Sequence, residues 1–388
     1  THHHLYQTLT RAHPKAINKA LFPWLQALYP VWANINAEAL HDAVTVGLAE
    51  LLLSGCTTAA DHHYLFAQGL ESAVDIEVEV AKALGLRMSV LRGSMNLSEK
   101  DGGLPPDCMV QDAEVILADC ERVLSRYHDT NEGAHIQIAL APCSPFSVTM
   151  ELMRSCAELA EQYDCRLHTH LAETAEENEF CLAHYGCRPL QLLEDAGWLQ
   201  PRTWLAHGIH FTDAECARLG HHRVGVCHCP TSNATLASGF CPTEALQKYG
   251  APVGLGVDGS ASNDCSNMME AVRHALMVNR LARERADTFT HLDALAMATT
   301  GSAACLGRDD IGTIAPGKQA DLALFKLDEL RFAGAHDPLA ALVLCGAHHA
   351  DRVMVAGTWR VVDGVIPGLD LEALTKRQNQ HARQLANH

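Results

Sequence analysis

The sequence predicts an α/β protein built on a (β/α)8 TIM-type barrel, with a small β-sandwich part towards the C-terminus. Two observations predict this fold. Short apolar or β-branched segments alternate with helical segments along most of the chain, and after about residue 310 the pattern changes to strands with glycine-rich turns. The chain of 388 residues could hold two or three domains, but a single α/β barrel often exceeds about 250 residues. We therefore expect a barrel over residues 1–310, and β-sandwich strands with a C-terminal helix over 311–388.

Seven segments have the composition of buried parallel strands, because they are short and rich in apolar or β-branched residues. They are 56–61, 87–93, 135–141, 165–171, 203–207, 223–229 and 253–258. An eighth strand would end at the histidines that open the chain in "THHH". Eight strand–helix units close into a barrel whose active site lies at the carboxyl ends of the strands. A doubly wound open sheet is the alternative, but no GxGxxG follows a strand.

Between these strands, apolar residues recur at helical spacing. The clearest helix is 37–55, which Gly55 is placed to end. The same spacing predicts helices at 112–127, 150–163 and 266–284. In the C-terminal part, the sequence predicts strands within 312–325 and 350–364 and a terminal helix over 371–388.

The overall composition excludes some classes of partner. The net charge of −17 argues against a nucleic acid, whose phosphates require a basic surface. No apolar run reaches the roughly 18 residues of a transmembrane helix, so we expect no membrane partner. The fifteen cysteines include no CxxC pair and often lie in apolar segments, which indicates buried free thiols and a reducing cytoplasm.

Histidines and an aspartate stand at the predicted strand ends. His2 and His4 are two residues apart, so on a strand they face the same side while His3 points away. His170 and Asp258 end two further strands. Any single histidine among the 24 is more often a core or surface residue, but the joint placement at separate strand ends predicts one metal site. Three imidazoles and a carboxylate suit one divalent ion, Zn²⁺ first and Fe²⁺ as the alternative.

Two further side chains could supply proton chemistry at this site. Glu173 is three residues beyond His170, so its carboxylate could move a proton between a metal-bound water and a substrate ring nitrogen. Such a water has its pKa lowered towards about 7, and Asp258 could accept its second proton. His207 ends another strand, and it is either a further ligand or a hydrogen-bond donor to the oxygen that develops charge. These residues predict hydrolysis at an sp² carbon of an amide, an ester or an amino-heterocycle.

Several motifs occur together at these strand ends. They are "HHH" at the start, "HTHLAE", "LAHGIH", "HCPTSNATLASG" and "GLGVDGSASND", followed by "GTIAPGKQADLALF". Together they resemble the amidohydrolase superfamily, specifically its deaminase and chlorohydrolase branch, which acts on purines, pyrimidines and triazines. The resemblance covers nearly the whole chain. It implies a proton shuttle at Glu173, a carbonyl polariser at His207, and metal ligands at His2, His4, His170 and Asp258.

Three stretches of sequence make the resemblance to one group within that branch more specific. "THHHLYQTLTRA", "TTAADHHYLF" and "APCSPFSVT" are most similar to the 8-oxoguanine deaminases of that branch, which implies that an oxidised purine is converted to urate and ammonia. Gln7 could pair its carboxamide with a lactam edge. Trp32 and Cys143 stand where relatives contact substrate, although either could be a packing residue. Many relatives have His-Ser-Pro where this chain has Cys-Ser-Pro at 143–145, which leaves the substrate identity open.

Alternatives remain open at this stage. The same scaffold could act on guanine, a pterin, a pyrimidine or an s-triazine, and it could expel chloride or an alkylamine. A catalytically dead barrel that serves as an assembly protein belongs to a different class, but such proteins usually lose metal ligands. The adjacent pair His62 and His63 is expected to have no metal role. Because relatives are commonly dimers or larger, we expect a homo-oligomer, and because family strands precede the HxH, we expect the sequence to be an incomplete record of the protein.

Overall fold

The computed structural model describes residues 1–67 and 69–386, and its central feature is a sheet of seven parallel strands. In spatial order, which is also chain order, these are β1 (Thr58–His63), β2 (Arg87–Ser94), β3 (Ile136–Pro142), β4 (Arg166–Leu171), β5 (Thr203–His207), β6 (Gly225–His228) and β7 (Val253–Leu255). All seven predicted strands are present. Each strand pairs in parallel with the next, so every connection is a crossover and all carboxyl ends lie on one side.

The residues that open the chain lie between the two edge strands of this sheet. The His62 amide of β1 donates to the carbonyl oxygen of His3 at 2.8 Å. The Asp258 amide, just after β7, donates to the carbonyl oxygen of His2 at 3.1 Å. The histidine segment therefore joins both edges at the carboxyl ends of the strands, which is the place that the sequence predicts for the end of an eighth strand.

Helices alternate with the strands along the chain, and several of them pack against the sheet. The long ones are α1 (Leu21–Trp32), α2 (Ala37–Leu53), α3 (Ala73–Leu84), α4 (Ala113–Tyr127), α5 (Met150–Gln162), α6 (Ala175–Tyr185), α8 (Asp213–His221) and α11 (Met268–Arg283). The short ones are α7 (Pro189–Asp195), α9 (Pro230–Thr235), α10 (Thr243–Lys248), α12 (His291–Ala296) and α13 (Ser302–Cys305). The Asn36 side chain caps α2 by accepting the Ala39 amide at 2.9 Å. Gly55, at φ +93°, reverses the chain just after that helix, as predicted.

The C-terminal part carries a small antiparallel sheet. Its strands are β8 (Leu322–Leu324), β9 (Arg352–Val355) and β10 (Thr358–Val361), with β9 in the middle. The short helix α14 (Pro338–Ala341) precedes β9, and α15 (Leu371–Leu385) ends the described chain. Arg377 of α15 pairs with Asp42 of α2 at 2.9 Å, which fixes this helix against the barrel. The last two residues of the predicted terminal helix, 387–388, lie outside the described residues.

All fifteen cysteines are free thiols, and most of them are buried. In the part of the chain that the structure describes, none of the helices combines the length and the apolar character needed to cross a bilayer.

Candidate active site

Four side chains predicted as metal ligands meet at the carboxyl ends of the strands. We call them the ligand cluster: His2, His4, His170 and Asp258. The Asp258 Oδ1 atom lies 3.5 Å from His2 Nε2 and 3.4 Å from His4 Nε2. The His4 and His170 Nε2 atoms are 3.1 Å apart. All four residues are buried, so these polar atoms face one another with little access to water.

Hydrogen bonds at the far nitrogen of two rings determine where each proton lies. His4 Nδ1 donates to the carbonyl oxygen of His62 at 2.7 Å. His170 Nδ1 donates to the carbonyl oxygen of Cys143 at 2.7 Å. Because a carbonyl oxygen can only accept, both neutral rings carry their proton on Nδ1 and present a lone pair at Nε2.

The third ring is oriented through a residue that sequence reasoning missed. His168 Nδ1 donates to the carbonyl oxygen of Trp204 at 2.9 Å, so its Nε2 accepts the Nδ1 proton of His2, also at 2.9 Å. His2 Nε2 is then a lone pair with no hydrogen-bond partner among residues 1–67 and 69–386. The available signal was spacing, because His168 and His170 are two apart on β4 and face the same side.

Charge and protonation of the cluster fit a bound cation. Burial lowers the pKa of His2 and His4, and it lowers the pKa of His170 to about 3, so the rings are neutral at pH 7. Burial acts to raise the pKa of Asp258, but His2, His207 and His4 outweigh it and hold that pKa well below its usual range. Three lone pairs and a carboxylate repel one another unless a positive ion lies between them. Nitrogen and oxygen donors of this kind suit a borderline divalent cation such as Zn²⁺.

The structure adds His62 to this site. One of its ring nitrogens lies within 4.8 Å of the histidine ligand nitrogens of the cluster, and its ring stacks on His170 at 4.8 Å between centroids. His62 Nε2 donates to the carbonyl oxygen of Ala141 at 2.8 Å, and Nδ1 has no partner in the described chain. The structure thus places beside the ligand cluster a histidine for which the sequence predicted no metal role. Strand β1 continues two residues beyond its predicted end, and strand alternation turns His62 inward while His63 faces out.

Glu173 and His207 face each other beside the ligand cluster. Glu173 Oε2 lies 3.5 Å from His207 Nε2, which is also 3.8 Å from Asp258 Oδ2. His207 Nδ1 donates to Asn233 Oδ1 at 3.0 Å. Burial raises the pKa of Glu173 to about 7. Burial acts to lower the pKa of His207, but the carboxylates of Glu173 and Asp258 outweigh it and raise that pKa. Two buried groups can therefore hold or exchange a proton near neutral pH.

Unusual backbone conformations aim these side chains into the site. Ala172, His207 and Asp258 have φ values of +53°, +68° and +66°, a region that costs a non-glycine residue about 1–3 kcal/mol. Glu177, on α6, holds the first of these turns by accepting the amides of Ala172 at 2.7 Å and Glu173 at 3.0 Å. Sequence reasoning did not identify Glu177, because an acidic residue in the first turn of a helix is common.

A cavity opens onto the ligand cluster and the two proton-carrying groups. The rest of its wall is mostly apolar and aromatic, and consists of Gln7, Leu21, Trp24, Leu25, Tyr29, Tyr64, Cys143, Ser144, Phe146, Leu236 and Ser262. Two of the three predicted substrate contacts, Gln7 and Cys143, lie in this wall. Gln7 Oε1 accepts the Ala261 amide at 3.3 Å, which orients the carboxamide. Apolar walls with a few polar groups are typical of sites for flat heterocycles.

Trp32 lies behind the cavity wall, and the structure does not bring its side chain to the cavity surface. The side chain is fully buried, and its indole N–H donates to Thr10 Oγ1 at 3.1 Å. Its ring packs edge-on against Trp24 and Tyr29, at 5.4 and 5.9 Å between centroids. These two aromatic residues come from the same helix, α1, and they line the cavity in its place.

Known proteins share this fold. The chain matches the amidohydrolase family over residues 1–360, and it belongs to that family. It is 62% identical over 385 residues to the 8-oxoguanine deaminase of Pseudomonas aeruginosa, covering 99% of this chain and 86% of that protein. The crystal structure of atrazine chlorohydrolase from Arthrobacter aurescens TC1 complexed with zinc superposes with a TM-score of 0.94 at 31% identity, over 98% of this chain and 86% of that one. An adenosine deaminase from Xanthomonas campestris with bound zinc gives 0.90 at 30% identity, over 100% and 84%. The predicted barrel fold and the predicted family are confirmed.

Proposed function

We propose that this protein is a metal-dependent aminohydrolase that deaminates 8-oxoguanine to urate and releases ammonia. The choice of substrate rests on the 62% identity, over 99% of the chain, to the Pseudomonas aeruginosa 8-oxoguanine deaminase. The geometry supports the class of reaction, because three imidazole lone pairs and a carboxylate converge beside a buried acid with a pKa of about 7. Hydrolytic loss of an amine needs a nucleophile and a proton carrier in this arrangement.

His2, His4, His170 and Asp258 would hold one divalent cation. We assign zinc first, since two structures of similar fold contain it, and Fe²⁺ is the alternative for the same donors. When bound, the cation lowers the pKa of a coordinated water and so supplies a nucleophile at neutral pH. Asp258 Oδ2, which faces His207 at 3.8 Å, is placed to accept a proton during the attack.

Glu173 would carry protons between the attacking water and the base. The oxygen of the water adds to the carbon that bears the exocyclic amine, and Glu173 takes one of its protons and delivers it to the adjacent ring nitrogen. The second proton of the water passes by way of Asp258 to the exocyclic amine, after which the C–N bond breaks, a carbonyl forms and neutral ammonia departs. A pKa of about 7 suits both the acceptance and the return of a proton at neutral pH.

His207 would stabilise negative charge that develops on the adding oxygen. Its Nδ1–H is committed to Asn233 at 3.0 Å, which leaves Nε2 facing Glu173 and the cluster. Its raised pKa favours a proton on Nε2, and that N–H can donate to the developing oxyanion. The rigid positive φ at this residue holds the ring in place before the substrate arrives.

The cavity wall would orient the base. The aromatic rings of Trp24 and Tyr29 offer flat apolar surface, and Gln7 offers one donor and one acceptor to a lactam edge. Cys143 contributes a small side chain where a histidine would take up more space. This combination favours a flat heterocyclic base.

A second candidate is the hydrolysis of a substituted s-triazine. It is favoured by the TM-score of 0.94 to atrazine chlorohydrolase. The two candidates differ in the group that leaves, which is ammonia from an oxidised purine, and chloride or an alkylamine from a triazine. Both would use the same cluster and the same proton carrier.

A substrate panel with metal analysis of the same sample tests the proposal. Release of ammonia would be measured for 8-oxoguanine, guanine, pterins, aminopyrimidines and aminotriazines, with chloride and alkylamine release measured in parallel. We expect 8-oxoguanine to have the highest kcat/KM and about one ion per active site. Preferential turnover of a triazine would support the second candidate. No turnover of any heterocycle, together with no bound metal, would instead indicate a catalytically dead barrel that serves as an assembly protein.

The domain boundary, the oligomeric state and the cellular location are three further features that we propose. We propose a boundary between the barrel and the sandwich part near residue 310, before the first strand of the small antiparallel sheet, which begins at Leu322. We also propose a homo-oligomer and a cytoplasmic location. Light scattering during size-exclusion chromatography measures the oligomer, and cell fractionation measures the location.

A further inference from the structure

A second group of buried ionisable side chains lies on the outer face of β1. Asp61 and His63 alternate with His62 along this strand, so they face away from the ligand cluster and towards α3. Helix α3 brings Glu77 against them. Each of these three residues is fully buried. Potential ligand atoms from all three lie within 4.8 Å of one another.

The neutral His63 ring carries its proton on the nitrogen that faces away from the Glu77 carboxylate. His63 Nε2 donates to the carbonyl oxygen of Leu65 at 2.7 Å, so a neutral ring presents a lone pair at Nδ1. That lone pair faces Glu77 Oε1 at 3.0 Å. Neither atom has a hydrogen-bond partner within residues 1–67 and 69–386. Two electron-rich atoms at this distance repel unless a proton or a cation lies between them.

The two carboxylates add to this imbalance. Asp61 Oδ1 accepts the Leu5 amide at 2.6 Å, but Asp61 Oδ2 and both Glu77 oxygens have no hydrogen-bond donor in the described chain. The ion pairs that involve these carboxylates are with His3 and His63, and the described lysines and arginines form none with them. Ionised carboxylates that are fully buried require a compensating positive charge.

We propose that Asp61, His63 and Glu77 bind a second divalent transition-metal ion, separate from the ligand cluster. One imidazole nitrogen and carboxylate oxygens suit Zn²⁺, Mn²⁺ or Fe²⁺. Two ionised carboxylates offset the charge of such an ion. The competing occupants are protons, because burial raises the pKa of Glu77 to about 8 and, with the nearby Glu77 carboxyl, raises the pKa of Asp61 well above its usual range. A proton bridges only two atoms, whereas one cation takes donor atoms from all three residues.

This second ion would act as a structural tie. It joins β1 to α3, and through Asp61 Oδ1 it reaches the Leu5 amide, which directly follows His4 of the ligand cluster. The ion would therefore hold the histidine segment in register from behind, without contacting the substrate. The inference does not depend on the reaction catalysed.

Metal counting on matched variants tests the proposal. The protein would be stripped with a chelator, reloaded with Zn²⁺, freed of excess metal, and analysed for zinc per chain. We expect two ions in the wild type, one in Glu77→Gln and one in Asp258→Asn. Glu79→Gln is the matched control, since Glu79 is exposed on the same helix, and it should keep two. One ion in the wild type, or two in Glu77→Gln, would overturn the proposal.

Anomalous diffraction at the zinc edge locates the ion without any variant. Wild-type crystals grown with Zn²⁺ should show one peak at the ligand cluster and another among Asp61 Oδ2, His63 Nδ1 and the Glu77 carboxylate. A fully ordered triad with no anomalous peak would show that a proton occupies the site. This measurement decides the matter even if Glu77→Gln fails to fold, and its outcome is independent of any activity assay.

Discussion

The Nε2 atoms of His4 and His170 lie 3.1 Å apart, and each presents a lone pair to the other. The reason lies on the far side of the two rings, where backbone carbonyls of His62 and Cys143 hold the Nδ1 protons. Two lone pairs with a carboxylate beside them form a site whose polar atoms are paired only when a cation is present. The fold thus orients the rings for metal before any metal binds.

Removal of metal should abolish activity and weaken the fold. Chelation leaves the ligand cluster with repelling lone pairs, so we expect no ammonia release and a lower Tm. Added Zn²⁺ should restore both, since an ion at about 100 times its Kd stabilises the native state by about 2.7 kcal/mol. Thermal unfolding against free zinc concentration measures this effect. A Tm that does not respond to zinc would contradict it.

Glu173→Gln should keep metal and lose turnover. The amide retains the shape of the side chain but cannot accept and return a proton, so we expect kcat to fall by about 10² or more. Steady-state ammonia release and zinc content would be measured on one preparation. Glu176→Gln is the control, because Glu176 is exposed on α6, and it should behave as wild type. Undiminished turnover in Glu173→Gln would remove this residue from the mechanism.

Glu177→Gln should lower kcat by misplacing Glu173. An amide nitrogen would replace one of the oxygens that accept the Ala172 and Glu173 amides, and an unpaired buried donor costs about 1–3 kcal/mol. We expect kcat to fall by about tenfold with little change in KM, because the cavity wall is intact. Glu179→Gln, an exposed change on the same helix, should have no effect. A fall in Tm alone, with kcat unchanged, would make Glu177 purely structural.

The pH dependence should report the carboxyl group of Glu173. Its pKa is raised to about 7 by burial, and only the ionised form can accept a proton from water. The value of kcat/KM should therefore rise with pH below about 7 and fall again at higher pH, where His207 loses its Nε2 proton. The rising limb should disappear from the residual activity of Glu173→Gln. A flat profile down to pH 5 in the wild type would contradict this assignment.

Gln7 and Trp32 should respond differently to substitution. Gln7→Leu removes a donor and an acceptor from the cavity wall, and we expect KM for 8-oxoguanine to rise by about tenfold or more. Trp32→Phe removes the hydrogen bond to Thr10 behind the wall, and we expect a loss of about 1 kcal/mol in unfolding free energy with KM unchanged. Initial-rate kinetics and denaturant unfolding separate the two effects. A large change in KM for Trp32→Phe would restore it as a substrate contact.

Much of the candidate site could be predicted from local sequence. Strands are short apolar runs, and polar residues that stop such runs in a barrel come together at one rim. The two-residue spacing of His2 and His4 sets which of the first histidines face the cluster, because side chains alternate along an extended chain. The same reasoning predicts that His170, Asp258 and Glu173 lie beside one another at that rim.

Other parts of the site depend on tertiary structure. Strand β1 continues to His63, so His62 lies beside the ligand cluster. On the opposite face of the strand, Asp61 and His63 face Glu77 of α3, a contact that spacing in the sequence does not predict. Which ring nitrogens carry protons depends on carbonyls from other strands. Trp32 lies behind the cavity wall because Trp24 and Tyr29 of the same helix, α1, line the cavity and pack against its ring.

The sequence by itself determined the barrel and which side chains gather at its rim, namely the ligand cluster and Glu173, since each follows from short-range periodicity and residue type. The tertiary structure decided the protonation of the rings, the cavity wall and the second buried triad. These depend on contacts between residues far apart in the chain, as with Glu77 and Asp61 or Asp258 and His2, and such contacts exist only after the strands and helices have packed.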